Sequence, residues 1–282
     1  MFLSALMLKG EPVSGFELNY IQGSAAAIAV YQWITASPRY LLLLVHGHSE
    51  HIGHYENVAR HFQSHGAYVF GPDHPGHGLS QGERLVIEDF DAVVNDVGNV
   101  VASVRCQYPD LPLYVVGHSM GGMIATRYVQ LNSGEVRGLV LSAPLLGSRT
   151  RITDLYAIPQ QAFLREGKTV KKGEKVGPFM RRTLAAMERM LMLINEGPGF
   201  GNLPALWLHG TQDTTVLAEE TQTAWEHLRG IHCEADNIPG ARHDIFCESY
   251  REITLAKMTR FIDACMASER IQTRMQVNGY PQ

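Results

Sequence analysis

The chain has few cysteines, no long apolar run and no marked excess of charge. Its four cysteines, Cys106, Cys233, Cys247 and Cys265, form neither a C-x-x-C pair nor a disulfide framework. They read as free thiols in a reducing compartment, so a cytoplasmic protein is expected. Apolar runs such as Tyr40–Val45 are far too short to span a bilayer. The apolar opening, residues 1–8, lacks a basic leader and a small-residue cleavage site, so a signal peptide is not expected. A net charge of −4, from 24 basic and 28 acidic residues, gives no nucleic-acid footprint. No internal repeat or low-complexity tract occurs. What the chain has is apolar residue, 45% of 282 positions, enough to bury a large core.

That apolar content is distributed in two alternating patterns. Short runs at 40–45, 67–70, 113–116, 136–141, 203–208 and 232–238 read as strands, preceded by two opening strands at 16–20 and 26–33. Helical spacing occupies 55–65, 87–108, the stretch after 119, 216–228 and 245–266. Strand and helix alternate, and the run Tyr40–Val45 is continuously apolar, as in a strand covered on both faces. A mostly parallel sheet flanked by helices follows. Residues 1–144 and 202–270 are expected to form this core, and 271–282 a flexible tail. Between them, 145–201 carries no strand pattern. Helical spacing at Met180, Leu184, Met187, Leu191 and Ile194, and again near 154–164, predicts a helical cap. Residues 149–189 hold ten Lys/Arg against four Asp/Glu, leaving −10 for the remainder. A basic cap can dock on an anionic lipid surface or hold an anionic substrate; a solvated loop accounts for the same charges.

The sequence Gly117-His118-Ser119-Met120-Gly121-Gly122 lies between a predicted strand and a predicted helix. This G-x-S-x-G setting forces a serine to the top of a sheet, above a helix N-terminus that favours a developing oxyanion. Ser119 is therefore the candidate nucleophile, and it needs a base and an orienting acid. Asp213 follows one later strand and His243 the next, where open α/β sheets carry their sites. Asp236 and Asp244 are alternative acids, and Asp213 can instead be a helix cap. The backbone N–H groups of Met120 and of His48, in the loop after the third strand, are the candidate oxyanion donors. The His48 imidazole is a second candidate for substrate contact. Leu145, Met180, Leu184 and Met187 are candidate substrate contacts, although a Met-rich stripe is also ordinary core packing.

Several stretches then carry a family resemblance. They are His46-Gly47, Glu50-His51, Tyr55, the run Asp73-His74-Pro75-Gly76-His77-Gly78-Leu79-Ser80-Gln81-Gly82-Glu83-Arg84, the serine motif, and Leu141-Ser142-Ala143-Pro144. Together they resemble the monoacylglycerol lipase and lysophospholipase branch of the α/β-hydrolases, over roughly 40–146 and 203–261. The resemblance implies the α/β-hydrolase fold and a Ser119–Asp213–His243 triad with no metal or cofactor. It also implies a lipid ester or small-molecule ester substrate entering under a cap that, in some members, touches membranes. Residues 145–201 and His48 depart from the family pattern. Three rivals stand beside it. The first is a zinc site on His46-Gly47-His48-Ser49-Glu50-His51. The second is another triad reaction, such as that of a thioesterase, lactonase, carbon–carbon bond hydrolase or peptidase, although an aminopeptidase wants acidic residues in the cap. The third is a non-enzymatic binding protein. Nothing in the sequence speaks to oligomeric state.

Overall fold

The computed structural model describes residues 8–9, 15–147, 180–247 and 249–277. Among the described residues nine strands form one sheet: β1 (Leu8–Lys9), β2 (Glu17–Gln22), β3 (Ala27–Trp33), β4 (Tyr40–Val45), β5 (Ala67–Pro72), β6 (Leu113–His118), β7 (Val136–Ser142), β8 (Ala205–Gly210) and β9 (Cys233–Ile238). Their spatial order is β1-β2-β3-β5-β4-β6-β7-β8-β9. The first three strands meet their neighbours antiparallel, and every pair from β5 to β9 is parallel. The helices are α1 (Glu56–Ser64), α2 (Phe90–Arg105), α3 (Met120–Leu131), α4 (Arg181–Glu196), α5 (Ala218–Leu228) and α6 (Arg251–Val277).

The continuous apolar strands divide their side chains between two cores. Leu41, Leu43 and Val45 join the cluster packed with α2, α3, α4 and α5, whereas Tyr40, Leu42 and Leu44 join that of α1 and α6. The period of two in a strand is what lets one run of apolar residues serve both faces. Strand β9, at the sheet edge, leaves Glu234, Ala235 and Asn237 less covered, and so it is the least apolar of the predicted strands.

Three boundaries differ from the sequence pattern. Helix α2 begins at Phe90, three residues late, because Asp89 is extended and its carboxylate accepts the Asp91 and Ala92 N–H groups. Helix α6 begins at Arg251, because 243–247 and 249–250 are held out of the helix, Asp244 accepting the Phe246 N–H and the Tyr250 hydroxyl donating to the Gly240 carbonyl. The tail expected to fray from 271 is helical as far as Val277. Residues 267–277 contain neither Gly nor Pro, and the first breaker is Gly279. The helix expected near 154–164 lies outside the described residues. Among the described residues no helix is long and apolar enough to cross a membrane.

The run from Asp73 onward is a clamp beneath the sheet end. Asp73 is fully buried; its Oδ1 accepts the Ile52 N–H (2.8 Å) and its Oδ2 the Leu79 N–H (2.7 Å). The Ser80 hydroxyl donates to the Asp73 carbonyl and accepts the Ala29 N–H. The loop after β5 is thereby tied to β3 and to the turn before α1. Helix α4 is fastened to the next stretch. Arg182 pairs with Glu83 and Glu88, and the buried Thr183 hydroxyl accepts the Ile87 N–H and donates to the Leu85 carbonyl. Arg189 donates to the Glu88 carbonyl, so these two cap arginines already have partners in the body.

A tight backbone approach lies where α3 meets β4. A methyl group at Gly121 would stand 2.1 Å from the Val45 carbonyl oxygen, a backbone atom that cannot step aside. Gly121→Ala is expected to destabilise the fold by about 3 kcal/mol or more. A denaturant midpoint equal to that of the unaltered chain would refute this reading of the contact.

Candidate active site

The turn between β6 and α3 holds Ser119 at φ 53°, ψ −121°. A serine pays no such strain without support. Its N–H donates to the Ser142 carbonyl, while its own carbonyl accepts the N–H groups of Gly122 and Leu145. Gly117 and Gly121 permit the turn, since a methyl at Gly117 would meet the Gly121 carbonyl oxygen at 2.4 Å. Leu145, the first predicted cap residue, therefore leaves the body directly at the serine.

Two further strand ends converge there. The loop after β8 supplies Asp213 and the loop after β9 supplies His243. His243 Nε2 lies 2.9 Å from Ser119 Oγ, and His243 Nδ1 lies 2.7 Å from Asp213 Oδ2. The three residues read from the sequence thus stand in one hydrogen-bonded series. Asp213 also caps, as its alternative reading has it: Oδ1 accepts the Thr215 and Val216 N–H groups at 2.8 and 3.0 Å. Of the other acids, Asp236 is engaged by Lys257 and Asp244 by the Phe246 N–H. Burial alone would raise the Asp213 pKa. Hydrogen bonds from His209 and His243, the charge of His243 and the Val216 amide outweigh it and hold the carboxyl well below the usual range.

The loop 46–50 lies against the serine. A methyl at Gly47 would be 3.2 Å from Ser119 Cβ. Met120 opens α3 on the other side of the nucleophile. The two segments expected to donate to an oxyanion are thus adjacent. The buried Glu50 carboxylate fixes this loop, accepting the Gly47 N–H (2.9 Å) and the Tyr55 hydroxyl. The His48 ring packs edge-on to His77, with centroids 5.5 Å apart, and both its ring nitrogens are buried. Burial, then His77, lowers its pKa to about 3 against a weaker pull from Glu50, so the ring is neutral. The imidazole that was a candidate for substrate contact is turned into the protein.

His46 of the H-x-H run, with His74 and His77 from the next loop, is used structurally. His46 accepts the His74 N–H at Nε2 (2.9 Å), which places its proton on Nδ1, beside the Gly47 carbonyl. His74 Nε2 faces the His46 carbonyl and His77 Nδ1 the Pro75 carbonyl. Among the described residues no group of three or more His, Cys, Asp or Glu is arranged to hold a metal ion. His118 bonds Ser142 through Nδ1 and lies 4.9 Å, ring to ring, from His243.

The four apolar candidates divide. Leu184 and Met187 are fully buried in the core cluster beside α2 and α3, as ordinary packing requires. Leu145 is half-buried against that cluster, and Met180 is half-buried at the start of α4. Three side chains were missed. His209 donates to Asp213, and the Glu50–Tyr55 pair braces the oxyanion loop. The first lies at the end of β8, in the same H-G-x-x-D stretch that revealed Asp213, and that spacing was its only signal.

Known proteins are similar to this chain. The family described as serine aminopeptidase, S33, matches residues 36–172. Human monoglyceride lipase is 44% identical over 112 residues, 40% of this chain and 37% of that protein. The chain therefore aligns with little more than a third of that relative's length. The monoacylglycerol lipase of Mycolicibacterium smegmatis is 27% identical over 248 residues, covering 80% of this chain and 88% of the relative. Two solved structures share the fold. A thermostable carboxyl esterase from Bacillus coagulans has a TM-score of 0.74 at 21% identity, covering 90% of this chain and 99% of that one. A soluble variant of Saccharomyces cerevisiae monoglyceride lipase has 0.73 at 22%, covering 90% and 96%.

The buried histidines make stability depend on pH. His46, His74 and His77 are held neutral, chiefly by burial, with folded pKa values below the ordinary 6.5. The unfolded chain takes up their protons first as pH falls. Stability is then complete above about pH 7 and declines below it by about 1.4 kcal/mol per pH unit for each histidine still neutral in the fold. Asp213 adds a loss in the same direction only below about pH 4. Denaturant titrations from pH 8 to 5 should show the steep decline; a flat profile would contradict it.

Proposed function

We propose that the chain is an α/β-hydrolase of the monoacylglycerol lipase branch that hydrolyses carboxylic esters, with monoacylglycerols or similar single-chain lipid esters as substrate, a reading that its similar proteins support. The observation that carries this reading is the series Ser119–His243–Asp213 at 2.9 and 2.7 Å across three strand ends. His243 takes the Ser119 proton as Oγ attacks the ester carbonyl. Asp213 keeps the imidazole in the right tautomer and stabilises its cation. The carbonyl oxygen, now an anion, is held by the Met120 and His48 amides; one such donor is typically worth about 3 kcal/mol at the transition state. His243 then hands its proton to the departing alcohol, leaving an acyl-serine. Water, deprotonated by His243, attacks that ester, and the acid leaves with Ser119 restored. Residues 145–201 form the cap in this reading, beginning at the serine and returning through α4. Its basic stretch, largely outside the described residues, would meet the membrane surface from which a lipid ester comes.

A peptidase reading, which the name of the matched family raises, needs a carboxylate to receive a substrate amine. The two buried acids nearest the serine are already engaged, Asp213 by His243 and Glu50 by the Gly47 amide and Tyr55. A second ester reading keeps the triad and changes the substrate to a smaller or more polar ester. It is favoured by Leu184 and Met187 being locked in the core.

Turnover of a long-chain 1-monoacylglycerol beside a short p-nitrophenyl ester separates the two. The lipid should be preferred by kcat/KM, and Ser119→Ala should lose at least about 1,000-fold on both. Turnover of the short ester alone would assign the smaller substrate. Unimpaired Ser119→Ala would end the serine mechanism.

A further inference from the structure

His209 lies beneath the acid of the proposed triad and has no part in the mechanism above. It is fully buried at the end of β8, its ring 5.1 Å from Trp207 two residues earlier on the same strand face. Its Nε2 is 3.0 Å from Asp213 Oδ2 and 2.9 Å from the Val216 carbonyl. Both neighbours are acceptors, so Nε2 carries the proton. On the other side Nδ1 faces the Thr221 hydroxyl of α5, at 3.4 Å.

Asp213 consequently has every acceptor position in use. Oδ1 receives two backbone N–H groups, and Oδ2 receives His243 Nδ1 and His209 Nε2. The side chains of both His209 and Asp213 are inaccessible to water. If the His209 donor is removed, no water can replace it. The charge on Oδ2 then falls on His243 alone.

We propose that His209 is a positioning residue for ester hydrolysis, fixing the Asp213 carboxylate and setting the basicity of His243. This rests on the triad reading given above. The groups facing the pair are few. His243 and the neighbouring Asp244 come from the loop after β9, His118 comes from the end of β6 against the His243 ring, and α5 contributes the neutral Thr221. A carboxylate that has lost one donor binds the imidazolium form of His243 more strongly. His243 then stays protonated to higher pH, and less of the enzyme holds the free base that Ser119 needs.

The test compares His209→Gln, His209→Asn and His209→Phe. The glutamine amide reaches about as far as Nε2; the shorter asparagine does not, and phenylalanine donates nothing. The acid limb of the pH profile of kcat/KM on a p-nitrophenyl ester should rise by about half a unit to one unit in the Asn and Phe variants. Their kcat should fall about tenfold at neutral pH with KM unchanged, and Gln should stay near the parent. Should the Phe variant fail to fold, the Gln and Asn pair decides. Equal losses in Gln and Asn with an unmoved acid limb would reduce His209 to packing and overturn the proposal. The low-field proton resonance of His243 Nδ1–H is read alongside, without substrate. If the parent hydrolyses no ester, the functional reading fails by itself. The resonance then still judges His209: a shift in Asn but not Gln supports it, and identical spectra refute it.

Discussion

One backbone residue in the left-handed region, Ser119, organises the catalytic end of the molecule. Its φ of 53° stands where α3 sits so close to β4 that a methyl at Gly121 would lie 2.1 Å from the Val45 carbonyl oxygen. That closeness brings the N-terminus of α3 beside the 46–48 loop, which leaves the same strand β4 whose carbonyl is in contact. The nucleophile and the segments proposed to receive the oxyanion are therefore products of a single packing constraint. The strain is balanced by ordinary means: four backbone hydrogen bonds at Ser119, one of them from Leu145. The same bond fixes where the 145–201 insertion departs.

Histidine chemistry shows a second division of labour. Thirteen histidines offer many candidate bases. Most of those around the site have had their basicity removed. His46, His48, His74 and His77 lie in a low-dielectric cluster, their rings tilted or edge-on to one another, where burial outweighs the weak pull that Glu50 exerts on His48 and His77. Their neutral rings serve as hydrogen-bonding struts between the loops after β4 and β5. His243 differs in having a carboxylate at Nδ1 and partial access to solvent. Burial without a charge partner makes a strut; burial beside an ionised Asp213 makes a base.

This division explains what could be read from the sequence. Strand ends were legible because the parallel strands are continuously apolar, and Ser119, Asp213 and His243 each follow one of them at once. Their order along the chain then needed no knowledge of distance. His209 was hidden because it sits inside the apolar strand whose end marked the acid, where a histidine looks like a polar interruption. Leu184 and Met187 illustrate the opposite failure. A stripe at helical spacing shows that a face is buried but not against what, and here α2 and α3 supply the partner. The end of α6 was misplaced because polarity was taken for fraying, whereas the chain up to Val277 contains nothing that stops a helix.

The clamp and the cap anchor share one segment. Asp73 binds Leu79 and, through Ser80, β3; four residues later Glu83 begins the stretch that receives Arg182, Thr183 and Arg189 of α4. The loop that braces the histidine struts is thus continuous with the post that returns the insertion to the body. The distant relatives with 21% and 22% identity share the sheet and its TM-score of 0.74 or 0.73, so the body is fixed by packing that tolerates much substitution. Substrate choice has to reside where that packing does not dictate sequence. Under the proposed function, that leaves the stretch between two fixed points, Leu145 at the serine and Thr183 at the post, each held by hydrogen bonds to the backbone of the body.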